Sequence, residues 1–164
     1  MNALDDGDPV AFFDRKRSLM GASALLLRDE HGQIVIVKPH YKAVWHLPGG
    51  LMETDESPRL AAERETFEEI GLQVRTKRLL VADYKSATEA RPACMQFIFD
   101  GGVLSVEQLA GIVLQANEIE AWQAVSDDDA LALVAQGGPS SRLANALAVL
   151  ESGVPIYLED GQTV

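Results

Sequence analysis

The sequence predicts an α+β protein, and three observations carry that prediction. First, Ala22 to Leu27, Ile34 to Val37, Leu79 to Ala82 and Met95 to Phe99 are apolar runs of strand length, the second built entirely of β-branched residues. Second, Ser57-Pro58 and Gly71 bracket one well-delimited helix between the strand-like runs, with Ser as N-cap, Pro in the first turn and Gly as the stop. Third, Leu143, Leu147 and Leu150 recur at spacings of four and three, the apolar face of a helix near the C-terminus.

Taken in order, residues 1–18 read as an extension, with a short helix over residues 9–17 capped by Asp8 and making its apolar contacts through Phe12 and Phe13. Residues 19–164 read as a single domain ending in helices, since no repeat, linker or composition shift divides them. Asp29-Glu30-His31-Gly32 is a hairpin turn between the first two strands, which leaves His31 at a loop tip. Pro48-Gly49-Gly50 is a tight turn ahead of the helix. Asp83 to Pro92 reads as a loop, and Asp100-Gly101-Gly102 closes the strand before it. Residues 106–109 fit no single class. Glu118 to Gln123 alternates polar and apolar, as a half-buried strand does. Ser126 and the three Asp residues after it start another helix, Gly137-Gly138-Pro139 breaks the chain, and residues 156–158 form a terminal strand or tail.

The 164 residues carry a net charge of −11, so the basic footprint that duplex nucleic acid requires is missing. Small phosphorylated ligands remain compatible, because a metal or a few local cations override the global field. The lone Cys94 sits in an apolar run and reads as a buried small hydrophobe. No apolar stretch is long enough to span a membrane and the N-terminus lacks a secretory pattern, so a cytoplasmic location is the expectation.

The densest chemistry lies in Gly50 to Leu72, where loop and helix hold seven acidic residues. Glu65, Glu68 and Glu69 share one helix face by their spacings of three and four, close to the negative end of the helix dipole. Like charges there need a compensating cation. Arg64 supplies one, and a hard divalent ion such as Mg²⁺ or Mn²⁺, which prefers carboxylate oxygens, supplies more. The plain alternative is a solvated acidic face. Against it stand the Gly-rich turn and Glu53 and Glu56, which aim further carboxylates at the same point. Upstream, Lys38 and Lys42 suit phosphate contact and Tyr41 suits stacking on a base or ring; the alternative is an exposed polar loop. His46, beside Trp45, is either ligand-facing or packed.

These residues resemble the Nudix box: Gly, five residues, Glu, seven residues, then Arg-Glu-aliphatic-any-Glu-Glu-any-Gly-aliphatic. Gly50, Glu56, Arg64, Glu65, Glu68, Glu69, Gly71 and Leu72 fall in register. Thr66 departs from the pattern, standing where a larger aliphatic is usual. The lead-in from Trp45 to Gly50 and Glu53 also look like the family. The resemblance implies a mixed sheet sandwiched between helices, with the box as strand, loop and helix. It implies metal-dependent hydrolysis of a nucleoside diphosphate linked to some group X, such as a nucleoside triphosphate, a nucleotide sugar like ADP-ribose, or a dinucleoside polyphosphate. By box position it implies Glu65, Glu68 and Glu69 as metal ligands, and Glu56, Glu68 or Glu69 as candidate general base. It makes Arg64 the holder of a box carboxylate and Gly49 and Gly50 the turn beside the ligand. A downstream acid, Glu118 ahead of Glu120, is the family-like partner of the metal site. Homodimers are common in the family. A catalytically silent module that binds a nucleotide or a protein is the competing reading.

Overall fold

The computed structural model describes residues 19–41, 43–135 and 140–164. The helix expected over residues 9–17, Lys42 and the break at residues 137–139 lie outside the described residues. Eight strands form one mixed sheet: β1 (Met20–Asp29), β2 (Ile34–Pro39), β3 (Gly49–Leu51), β4 (Leu79–Lys85), β5 (Cys94–Leu104), β6 (Ile119–Val125), β7 (Ile156–Glu159) and β8 (Gln162–Thr163). The order is β6-β2-β1-β5-β4-β7-β8, with β3 added to β1. β1 runs parallel to β5 and β4 parallel to β7; the other pairs are antiparallel. The helices are α1 (Pro58–Ile70), α2 (Val106–Ala110), α3 (Asp127–Ala135) and α4 (Ser141–Ser152).

Alternation along the strands divides the core into two layers. Leu25, Leu27, Val35 and Val37 pack on one face with Ala62 and Ile70 of α1. Leu26, Ile34 and Ile36 pack on the other with Ala130 of α3 and Leu143, Ala146 and Val149 of α4. The result is the expected helix–sheet–helix sandwich. Leu25 to Leu27 are all at most 1% exposed because helices cover both faces of the central strand, which is why that run is continuously apolar.

Four expectations need correction. Gly49–Leu51 is a strand rather than a turn. At Gly49 φ is 149°, and a Cβ there would run into the Ser23 carbonyl of β1, so only glycine allows the two backbones to meet. Gly49→Ala will destabilise the fold by about 3 kcal/mol, read as a fall in the urea midpoint. Next, β4 continues to Lys85, so Asp83 is a strand residue. The third concerns β5, which runs on through Asp100-Gly101-Gly102 to Leu104. There Asp100 Oδ1 accepts from Gly102 N at 2.8 Å, Gly102 has φ 83°, and the register against β1 shifts between Leu26 and Leu27. Finally, the unclassified residues 106–109 are the helix α2, fixed by a capping box between Ser105 and Gln108.

At the C-terminus, β7 and β8 form a hairpin across Asp160-Gly161. Both residues have positive φ, 49° and 78°, as a two-residue hairpin turn requires.

Candidate active site

α1 begins and ends where its sequence dictates. Ser57 accepts from Leu60 N at 3.3 Å, Pro58 occupies the first turn, and Gly71 (φ 73°) donates to Phe67 O at 2.8 Å. Its buried face includes Ala62, Thr66, Glu69 and Ile70, at offsets of four, seven and eight. Glu69 thus lies on the stripe that holds the helix to the sheet and is 3% exposed. The reading of a solvated acidic face therefore fails for this residue.

The Gly49 N–H donates to Glu69 Oε2 at 2.8 Å, which ties the end of α1 to β3. A Cβ on Gly50 would lie 2.5 Å from the Glu65 carboxyl carbon, so the second glycine makes room for the second carboxylate. Burial pushes Glu69 up to about 8; the Gly49 N–H opposes the shift, and Glu65, Glu118 and Glu68 add to it. Glu65 is raised too, first by burial, against the pull of Arg64.

Arg64 spends every donor it has. Nε and Nη2 form a fork on Glu56, both bonds 2.9 Å. Nη1 reaches Glu65 at 3.0 Å and Glu68 at 2.9 Å, and Nη2 also donates to the Leu51 carbonyl at 3.0 Å. The fork on Glu56 raises the guanidinium's proton affinity and holds the Glu56 carboxyl below its ordinary range. Glu56 also accepts from the Glu53 N–H at 3.0 Å, which closes the loop. Arg64→Lys keeps the charge but loses the fork and the five-donor fan. It will destabilise the protein by about 2 kcal/mol, visible as a lower melting temperature, and added Mg²⁺ will recover part of the loss.

Glu65, Glu69, Gly49 and Gly50 open onto a cleft of about 970 Å³. Glu118 lines it from the loop before β6, close enough to raise both Glu65 and Glu69. Tyr41 lines it as well; its phenol is raised by burial first and then by Glu118, Glu69 and Glu65. His46 and Trp45 also line the cleft, and His46 is bonded to the Leu47 carbonyl at 2.8 Å. Five candidates are not among the residues that line this cleft: Glu56 and Arg64, which are joined to each other, and Lys38, Glu68 and Glu120. Lys38 bonds Glu120 across β2 and β6 at 3.1 Å, so the two candidate side chains are joined to each other. Glu68 is also absent from the lining, since its half-exposed carboxylate turns onto Arg64.

The donor set fits a hard divalent cation. It is made of oxygen only, partly buried, and raised in pKa by burial and mutual repulsion. Among the described residues no three acidic or histidine side chains converge closely enough to ligate an ion, because Arg64 draws Glu65 and Glu68 to itself and Gly49 holds Glu69.

Sequence reasoning missed the cleft's other wall: Ser23, Lys85, Arg91, Gln96 and Arg142. They come from β1, β4, β5, the loop between β4 and β5, and α4. No local motif marks them; only the strand register brings them together.

The NUDIX domain profile matches residues 18–144. A "MutT-like protein" of Streptomyces ambofaciens is 36% identical over 59 residues, covering 36% of this chain and 38% of that protein. An "ADP-ribose pyrophosphatase" of Mycobacterium tuberculosis is 39% identical over 66 residues, covering 37% of this chain and 32% of that one. The chain thus aligns to 38% of the first relative's length and 32% of the second's. Among solved structures, an ADP-ribose pyrophosphatase from Streptococcus suis superposes with a TM-score of 0.63 at 24% identity, covering 87% of this chain and all of that one, a likeness of fold.

Proposed function

The chain belongs to the NUDIX domain family, and from that premise we propose that it is a divalent-metal-dependent pyrophosphohydrolase acting on a nucleoside diphosphate linked to a further group. The observation that carries this is the Glu65–Glu69 pair: two raised carboxylates on the wall of one cleft, with Glu118 at the same end. An acidic cleft repels a pyrophosphate unless a cation bridges them. Glu65, Glu69 and, once released from Arg64, Glu68 would hold Mg²⁺ or Mn²⁺. That ion supplies charge neutralisation at the phosphate oxygens and a more acidic bound water.

The chain's own residues do the rest. Gly49 N–H orients the Glu69 carboxylate. Arg64 holds Glu56 and Glu65 in place as a positioning residue. Glu118 lines the same acidic end and, with Glu56, Glu68 and Glu69, is a candidate to take the water's proton. Tyr41 and Trp45 offer rings to a base. Nucleotide sugars of the ADP-ribose kind lead the candidate substrates, because the relative named as an ADP-ribose pyrophosphatase aligns at 39% identity. Nucleoside triphosphates and dinucleoside polyphosphates follow. Among the described residues no helix is long and apolar enough to cross a membrane, consistent with a small diffusible substrate.

The test is product release from nucleoside triphosphates, nucleotide sugars and dinucleoside polyphosphates with Mg²⁺ or Mn²⁺, wild type beside Glu69→Gln. Metal-dependent turnover lost in the variant supports the hydrolase. Nucleotide binding without turnover would replace it with a binding module, and neither would end both readings.

A further inference from the structure

The cleft has two chemically opposed ends. One holds Glu65, Glu69 and Glu118; the other is lined by Lys85, Arg91, Gln96 and Arg142. The sheet fixes how far apart they lie. Leu51, Ala22, Gln96 and Asp83 pair in one row across β3, β1, β5 and β4. Residues directly opposite in such a row share a face. Three strand spacings, about 14 Å, therefore separate the glycine strand of the acidic end from Asp83.

Asp83 is fully buried and does not itself meet the cleft. It accepts from Arg142 Nε at 2.8 Å and from Gly161 N at 2.9 Å. This fixes Arg142 by its Nε and leaves both terminal nitrogens with no partner among the described residues. Among the described residues the Arg91 guanidinium donates only to the neighbouring Pro92 carbonyl, at 3.4 Å. Both guanidiniums line the cleft, and both lower the pKa of the Cys94 thiol against the effect of burial. Lys85, paired with Asp160 at 3.3 Å, faces Cys94 across the strands. Beside them Gln96 Oε1 is buried with no hydrogen-bond partner among the described residues. In a chain of net charge −11, two guanidiniums with spare donors and an acceptor awaiting a donor form an anion receptor.

We propose that Arg91 and Arg142 select substrates whose X group carries its own terminal oxyanion, a phosphomonoester or a carboxylate, at the end of the cleft remote from the carboxylates, with Gln96 accepting from a hydroxyl or amide beside it. This rests on the hydrolase reading and deepens it by naming the substrate class. The carboxylate end holds the pyrophosphate through its cation; the guanidinium end holds the far anion directly. Arg142 presents a fork that its bond to Asp83 has already oriented.

Two matched pairs test it: ADP-ribose against ADP-ribose 1″-phosphate, and UDP-glucose against UDP-glucuronate. For each, kcat/KM with Mg²⁺ and Kd by titration calorimetry are measured for wild type, Arg91→Gln and Arg142→Lys. Wild type should prefer the charged member of at least one pair by about ten- to hundredfold, and which pair responds tells phosphate from carboxylate. Either variant should bring that ratio towards one while leaving the neutral member unchanged; a merely structural role would lower both members alike. A ratio of one in wild type for both pairs, or a ratio the variants do not alter, overturns the receptor. Charge-dependent binding with no hydrolysis of any compound would instead overturn the hydrolase reading and leave the receptor standing.

Discussion

Replacing Glu69 by Gln will lower turnover by roughly 10²–10³-fold and, in the metal-free protein, raise the melting temperature at pH 8. The two effects share one cause. Below pH 4.5 the Glu69 side chain is protonated in both the folded and the unfolded chain and contributes nothing. Above it the unfolded chain releases the proton, while the folded chain keeps it to about pH 8. The native state thus binds more protons across that window, and stability falls as pH rises. The total is on the order of 3 kcal/mol, for this chain roughly 6–12 °C in melting temperature. Gln keeps the shape and can still accept from the Gly49 N–H, but it carries no charge to bury. Its melting temperature should decline less between pH 5 and 8 than that of wild type, the remaining decline coming from the raised Glu65. Mg²⁺ should raise wild type at pH 8 and leave the variant nearly unmoved. A variant less stable than wild type at pH 8, or a flat wild-type profile, would refute this account of the buried carboxylate.

The second large effect is structural. Asp83→Ala removes a carboxylate with no exposed surface and leaves Arg142 and the Gly161 N–H without their acceptor. Breaking a buried pair from one side costs about 3–5 kcal/mol, because the remaining charge stays partly buried and unpaired. The urea midpoint should fall accordingly with little change in slope. Adding Arg142→Met should restore a large part of the loss. If the double variant is no more stable than Asp83→Ala alone, the ion pair is not what Asp83 contributes.

Much of this was legible in the chain. The Ser-Pro start and Gly stop of α1 carry their own local physics, so its ends could be read directly. Glu65, Glu69 and Arg64 followed from spacing along one helix and from their likeness to the box. Two things were hidden. The glycines at 49 and 50 read as a turn, because what they serve, the close approach of β1 and of the Glu65 carboxylate, comes from residues far away in sequence. Lys38 read as a phosphate contact because its partner Glu120 is 82 positions away and only the β2–β6 register joins them. Asp83, Arg91, Gln96 and Arg142 show the same limit: each is unremarkable among its neighbours, and the row of strand pairs makes them a group.

The parallel pairing of β1 with β5 also governs how the molecule is made. Met20 meets Cys94 and Asp29 meets Leu104, so the central strand waits some seventy residues for its neighbour. Contacts that distant in sequence form slowly, since a long loop must close before they give any stabilisation. On the ribosome, the Leu25-Leu26-Leu27 run emerges well before β5 can cover its edge. During that interval a continuously apolar stretch of β1 is open to pairing with other chains. Yield on expression will therefore depend on temperature and synthesis rate more than the finished fold's stability suggests.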